Sequence, residues 1–116
     1  MSARAKILNG ASLSGEIDLR NQRLLGIIYP AVWTAADLSL QVGDVSGGTF
    51  GEVFTDPGSG VGTALALDGA AGQATFLSTA IIIGNCFIKI RSGPSGVPVN
   101  QGGDRDIIIL TIPISH

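Results

Sequence analysis

The sequence predicts an all-β protein: a two-sheet antiparallel β-sandwich of jelly-roll type with at most one or two helical turns. Three observations carry this. Apolar residues recur at every second position in several short runs, the period of a half-buried strand. Gly, Pro, Asn and Asp break up those runs at short intervals. Two runs are apolar at nearly every position, as expected of strands covered on both faces. With 116 residues the chain can enclose one core and not two. Residues 1–10 read as an N-terminal arm and 11–116 as a single sandwich domain.

In chain order, Leu13–Leu19 ("LSGEIDL") sets Leu13, Ile17 and Leu19 on one face and Ser14, Glu16 and Asp18 on the other. Arg23–Pro30 ("RLLGIIYP") is apolar on both faces and stops at Pro30. Thr34 and Asp37 have the spacing of a capping box, so "WTAADL" (Trp33–Leu38) is the one helix candidate, at most a turn or two. Leu38–Val42 alternates again, with Leu38, Leu40 and Val42 inward. Gly47-Gly48 then signals a hairpin turn before a short strand at Phe50–Phe54. Thr55–Gly62 has loop chemistry. Thr63–Leu67 and Gln73–Leu77 read as short strands separated by "DGAAG". Asn85–Arg91 alternates with Cys86, Ile88 and Ile90 inward and Lys89 and Arg91 outward. The stretch from Ile90 to Asp106, "IRSGPSGVPVNQGGDRD", is a long crossover leading into Ile107–Ile114, which must be central in its sheet or covered by another subunit.

Composition points to assembly. Charged residues make up 14% of the chain and hydrophobic residues 45%, so a domain this small leaves apolar surface uncovered. A homo-oligomer or a large partner surface is therefore expected. The net charge is -2, and the basic residues fall in scattered pairs, which argues against a nucleic-acid partner. The apolar runs are too short to span a bilayer. "MSARAKILNGASLSG" has no apolar core of the kind a signal peptide needs, so synthesis and folding in a cytoplasm are expected. Cys86, the single cysteine, reads as a small buried hydrophobe.

Catalytic and cofactor chemistry finds little purchase, and neither a cofactor nor a metal is expected. The only histidine is His116, the last residue of the sequence, a poor place for a positioned imidazole. Zinc needs several Cys or His ligands. "SGPSGVPVNQGG" is glycine-rich but lacks the Lys-Ser/Thr of a phosphate loop, and no helix pattern follows it. The carboxylate pairs Glu52/Asp56 and Asp104/Asp106 are the remaining acid–base option, and solvated loop acids are the simpler reading. Calcium at "GGDRD" or "TDPGSG" lacks the spacing that would make it specific. Trp33, the single tryptophan, either plugs one end of the core or joins Tyr29 in a surface for a sugar or a partner.

Two blocks carry a resemblance. One is Pro30, Trp33 to Ala36, Leu38 to Val42 and Gly47-Gly48; the other is Ile90 to Gly93, Val97 to Gln101 and Ile107 to Leu110. In this combination the chain resembles, over roughly residues 12 to 112, a widespread family of small phage and prophage virion proteins. It departs from that pattern at "LSTAIIIGNC", where relatives tend to have a Pro and an aromatic before a glycine. The resemblance implies a non-enzymatic capsid cement or decoration protein on the virion surface. Such a protein is made in the bacterial host cytoplasm, forms a homotrimer and clamps the phage major capsid protein. A tail or head-fibre component is the nearest alternative, and a carbohydrate-binding sandwich module comes next. The candidate interface residues are Arg4, Lys6 and Leu8 of the arm, Trp33, Arg91, Val97, Val99, Asn100 and Gln101 of the long loop, and Ile112 and Ile114 of the last strand.

Overall fold

A computed structural model describes residues 2–55, 63–77, 83–94 and 97–114. Ten strands are present: β1 (Ser2–Ile7), β2 (Ile17–Asp18), β3 (Gln22–Ile28), β4 (Leu38–Gly43), β5 (Gly51–Glu52), β6 (Phe54–Thr55), β7 (Thr63–Ala64), β8 (Ala74–Phe76), β9 (Phe87–Ser92) and β10 (Arg105–Pro113). They form two antiparallel four-stranded sheets, ordered β1-β10-β3-β8 and β2-β9-β4-β5, with β6-β7 as a separate two-stranded ribbon. Among the described residues the protein is all-β with no helix. Apart from the β4–β5 and β6–β7 hairpins, successive strands lie in different sheets.

One core joins the sheets. Ile7, Leu24, Ile27, Ile107 and Ile109 of the first sheet meet Ile17, Leu38, Leu40, Ile88 and Ile90 of the second. This arrangement is compatible with a β-sandwich. The doubly apolar last run becomes β10, central between β1 and β3, as its pattern requires. Its alternation is clean: Ile107, Ile109 and Thr111 are buried, while Ile108 and Leu110 are half-buried and Ile112 is exposed. The doubly apolar β3 is likewise internal, between β10 and β8, and Tyr29 and Pro30 follow its end.

Several elements depart from the sequence reading. Residues 2–7, expected to be part of an arm, form edge strand β1, paired with β10 through Ala5↔Ile107 and neighbouring pairs. Ala5 and Ile7 belong to the core, so the strand-forming tendency of this segment is satisfied within the chain. The Leu13–Leu19 alternation breaks in the middle. Only Ile17–Asp18 is strand; Leu13 makes a single bridge to Arg91 and is exposed, while Ser14 turns inward. The reason is a hydrogen bond: the Ile90 amide donates to Ser14 Oγ at 2.9 Å, which gives the buried hydroxyl a partner.

The expected turn of helix at Trp33–Leu38 is irregular chain instead, because its backbone groups are bonded elsewhere. The Thr34 amide donates to the Gln101 side chain, and the Leu38 amide donates to the Leu67 carbonyl. The single strand expected at Phe50–Phe54 splits at Val53, where the chain changes partner from β4 to β7: the Val53 amide donates to Leu40, and the Val53 carbonyl accepts from Leu65. Cys86 lies half-buried just ahead of β9, and Phe87 is buried beneath the Arg20 guanidinium, 5.2 Å from the ring centroid. Residues 56–62 of the expected Thr55–Gly62 loop, Asp56 among them, and residues 78–82 of "LSTAIIIGNC" lie outside the described residues, as does His116.

If β1 is an integral strand, Ile7→Ala, at a fully buried position, costs about 2–5 kcal/mol of stability. Denaturant unfolding followed by far-UV circular dichroism reads this directly. A loss of only a few tenths would mean that the segment contributes nothing to the core.

Candidate interaction surface

The two sequence blocks that carry the resemblance meet in space, and Gln101 joins them. Its side chain is 1% exposed. Oε1 accepts from the Thr34 amide at 2.9 Å and from Arg105 Nε at 3.2 Å. Nε2 donates to the Thr34 carbonyl at 3.0 Å and to Ser92 Oγ at 2.7 Å. An amide side chain has two acceptor and two donor positions, and all four are filled. The backbone of Gln101 also bonds outward, its amide to the Ala11 carbonyl and its carbonyl from the Gly10 amide. Gln101 is therefore an internal clamp, a correction to its place among the interface candidates.

The long crossover is shaped by the same corner. Gly93 has φ +112°, and a Cβ there would stand 2.8 Å from the Val99 amide nitrogen and against the Val97 carbonyl, so only glycine fits. The Ser39 hydroxyl donates to the Gly93 carbonyl, and the Val99 amide donates to the Ser92 carbonyl. Along this stretch Val97 and Asn100 are exposed and Val99 is half-buried.

Trp33 sits beside the clamp, half-buried and packed against the core. Its indole N–H donates to the Ala36 carbonyl at 3.0 Å, and its ring meets Tyr29 edge-on, with centroids 5.3 Å apart. The Tyr29 hydroxyl donates to the Leu67 carbonyl. Burial, with the charges of Asp37 and Asp68 adding to it, pushes the Tyr29 pKa up to about 12.

The outward faces of the two sheets differ in chemistry. Residues directly opposite each other across antiparallel strands share a face. In the first sheet this gives an outward row of Arg4, Ile108, Ile28 and Ala74, and a second row of Leu110, Gly26 and Phe76. Ile112 opposite Arg23 makes a third, and Lys6 opposite Asp106 closes the other end. Phe76 is 63% exposed and leans over Gly26, where a Cβ would come within 3.2 Å of Phe76 Cδ2. The centre is apolar and the charges lie at its rim. The matching face of the second sheet is polar: Arg91 pairs with Glu52, Gln41 Nε2 donates to Glu52 Oε1, and Lys89 lies 4.5 Å over the Phe50 ring.

The sequence candidates therefore divide. Arg4, Lys6 and Ile112 fall on or beside the apolar outward face. Arg91 is bound up in its ion pair on the opposite sheet. Leu8 is exposed just beyond β1, and Ile114 is half-buried, its amide bonded to the Asn21 carbonyl. Sequence reasoning missed Ile28, Ile108, Leu110 and Phe76, because two-faced apolar runs do not say which face the core takes.

The acid–base candidates have structural partners. Asp104 Oδ1 accepts from the Asn9 amide at 2.8 Å, and Asp106 stands opposite Lys6. Glu16 accepts from Ser46 Oγ and the Gly47 amide, capping the turn after β4; these bonds hold its carboxyl below the usual range. An open cleft of about 560 Å³ is lined by Val42, Val53, Ile83 and Cys86. Burial pushes the Cys86 thiol up, which keeps it protonated and poorly nucleophilic. Among the described residues no three His, Cys, Asp or Glu side chains group as a metal site. No family model, curated protein or solved structure matches the chain.

Gln101→Ala strands the partners of four hydrogen bonds. It is expected to cost about 1–3 kcal/mol and to red-shift Trp33 fluorescence as the neighbouring loop loosens. Unchanged stability and emission would show that the clamp is incidental. Tyr29, the single tyrosine, gives a one-component absorbance titration. Stability tied to its neutral phenol is fully present below the unfolded value of 10.0 and is lost as pH rises through about 12. A titration midpoint well above 10 is expected, whereas a midpoint at 10.0 would mean an exposed ring.

Proposed function

We propose that this chain is a non-enzymatic structural protein of a phage virion, a capsid cement or decoration protein. In this reading it assembles with copies of itself, a trimer being favoured, and bridges neighbouring major capsid subunits on the capsid surface. The observation that carries it is the apolar outward face of the first sheet, rimmed by Arg4, Lys6, Asp106 and Arg23. An apolar centre with a charged rim is the anatomy of a protein interface. The second sheet, with its outward charges paired, suits solvent.

The size of the face bears on what it can do. Four strands about 4.8 Å apart and three rows about 7 Å apart make roughly 400 Å² for the whole face, its charged rim included. It is about half of the ~800 Å² per partner of a standard interface. More than one contact per chain therefore fits a closed ring or a lattice better than an isolated pair.

We read the strand order as a jelly roll. The outer-to-outer orders β1-β10-β3-β8 and β2-β9-β4-β5, with β6-β7 inserted between the fifth and sixth sheet strands, support this reading, since two Greek keys wound together give such orders. Jelly rolls are frequent in capsids, which supports the reading by analogy of fold. The edge of β1 carries Arg4 and Lys6, and charges of this kind discourage strand-to-strand pairing. Association through the face is thus favoured over association through the edge. A carbohydrate platform would need Trp33 and Tyr29 turned outward, yet Tyr29 is buried and the Trp33 indole N–H is bonded internally.

Size-exclusion chromatography with light scattering should give a mass near three times the 11.8 kDa chain. Leu110→Glu places a carboxylate in the apolar row, which should weaken association by about 2 kcal/mol, more than tenfold, without altering the far-UV spectrum. Cosedimentation with capsids lacking this protein tests the partner. A monomer at micromolar concentration that ignores such capsids would overturn the proposal.

A further inference from the structure

The outward face of the first sheet is positive on a chain that is negative overall. Its rim holds three cations, Arg4, Lys6 and Arg23, and one acid, Asp106. The other cations are engaged: Arg20 pairs with Asp18, Arg91 with Glu52, Arg105 Nε donates to Gln101, and Lys89 lies over Phe50. Arg23 is half-buried, and its Nε has no acceptor among the described residues. The net charge of the chain is -2, so a face with two positive charges in surplus leaves four negative ones in surplus on the remainder.

This asymmetry bears on how copies can meet. Two-fold packing of the face on itself would gather six cations and two acids in one interface, and like charges so placed repel. It would also bury only about 400 Å² per partner, half of the ~800 Å² of a standard interface. A different surface, apolar at its centre and acidic at its edge, complements the face in both respects.

The turn between β4 and β5 has that make-up. Val45 is 55% exposed, and exposed Asp44 stands beside it. Glu16 adds a second carboxylate and holds the turn in shape: it accepts from Ser46 Oγ at 2.7 Å and from the Gly47 amide at 2.6 Å. The Gly48 amide donates to the Val45 carbonyl at 3.2 Å, and Gly47 takes φ +74°. A turn already fixed in one conformation loses little freedom on docking. Asp44 has no cation partner among the described residues.

We propose that copies of this chain associate heterologously: the acidic Val45 turn of one copy docks on the basic-rimmed apolar face of the next. The contact rests on the self-assembly proposed above and gives it a direction. Each copy offers one turn and one face, and a contact between unlike surfaces repeats around a ring, closing at three in a trimer.

The test is analytical ultracentrifugation of the full chain. Raising NaCl from about 0.01 M to about 0.1 M shortens the screening length from about 30 Å to about 10 Å and should weaken association several-fold. Asp44→Lys and Leu110→Lys should each weaken it by about tenfold or more with the far-UV spectrum unchanged. Mixed in equal amounts, these variants have one intact turn and one intact face between them, so a two-chain complex should return and no larger one. Association that strengthens with salt, Asp44→Lys assembling like wild type, or a mixture that stays monomeric would each overturn the contact. So would a monomeric wild type, and if that chain still cosediments with capsids lacking this protein, the virion reading survives without the contact. A chain that assembles as described but ignores such capsids keeps the contact and loses the virion reading.

Discussion

The side chain of Gln101 lies between two loops, and the order of both depends on it. A buried primary amide is costly unless each of its donor and acceptor positions is filled. Here Thr34 takes one donor and gives one proton in return, in the manner of a short β-bridge, while Ser92 and Arg105 complete the set. The geometry leaves little freedom: moving either loop breaks several bonds together. Gly93 folds the chain back beneath this clamp, and Trp33 and Tyr29 pack beside it. A corner of the sandwich without regular secondary structure is thereby specified as firmly as the sheets.

The sheets divide their labour. Their inner faces share one apolar core, so each must dispose of an outer face by itself. The second does so with charge: Arg91 with Glu52, Lys89 over Phe50, Arg20 over Phe87. The first keeps Ile28, Ile108, Leu110 and Phe76 outward. A chain of this size cannot hide its apolar residues in one core, and part of the excess lies together on this face, while Leu8, Leu13, Val32, Val45, Phe54 and Val97 are exposed elsewhere. That concentration turns a general property of composition into a local surface with a direction, and it supports reading the protein as a component of an assembly.

How much of this was legible beforehand depended on the kind of signal. Leu38, Leu40, Ile88 and Ile90 were readable as core because the alternation is local and each inward residue is followed by an outward one. The centrality of β10 was readable from its two apolar faces. The site was less so. Ile108 and Ile109 are chemically identical neighbours, and only the register with β1 and β3 decides that Ile109 goes inward. Ser14 and Leu13 exchanged places because Ile90, far along the chain, supplied a donor for the hydroxyl. The helical turn at Trp33 gave way for the same reason: its capping pattern is local, and the Gln101 amide and the Leu67 carbonyl offered its backbone groups better partners.

The sequence by itself determined the all-β class, the alternating core positions, the turn chemistry and the surplus of apolar surface, because each follows from residue type and near-neighbour spacing. Only the tertiary structure decided that residues 2–7 close the edge of β10, that Gln101 faces inward, and that Leu38 pairs with Leu67. These depend on contacts between distant segments, whose register a one-residue shift would reverse. The long glycine-rich crossover, which looks from its sequence like a binding loop, is shaped by that distant clamp. The outward apolar rows lie on the sheet face, where the strands themselves gave no local sign of which side would be left open.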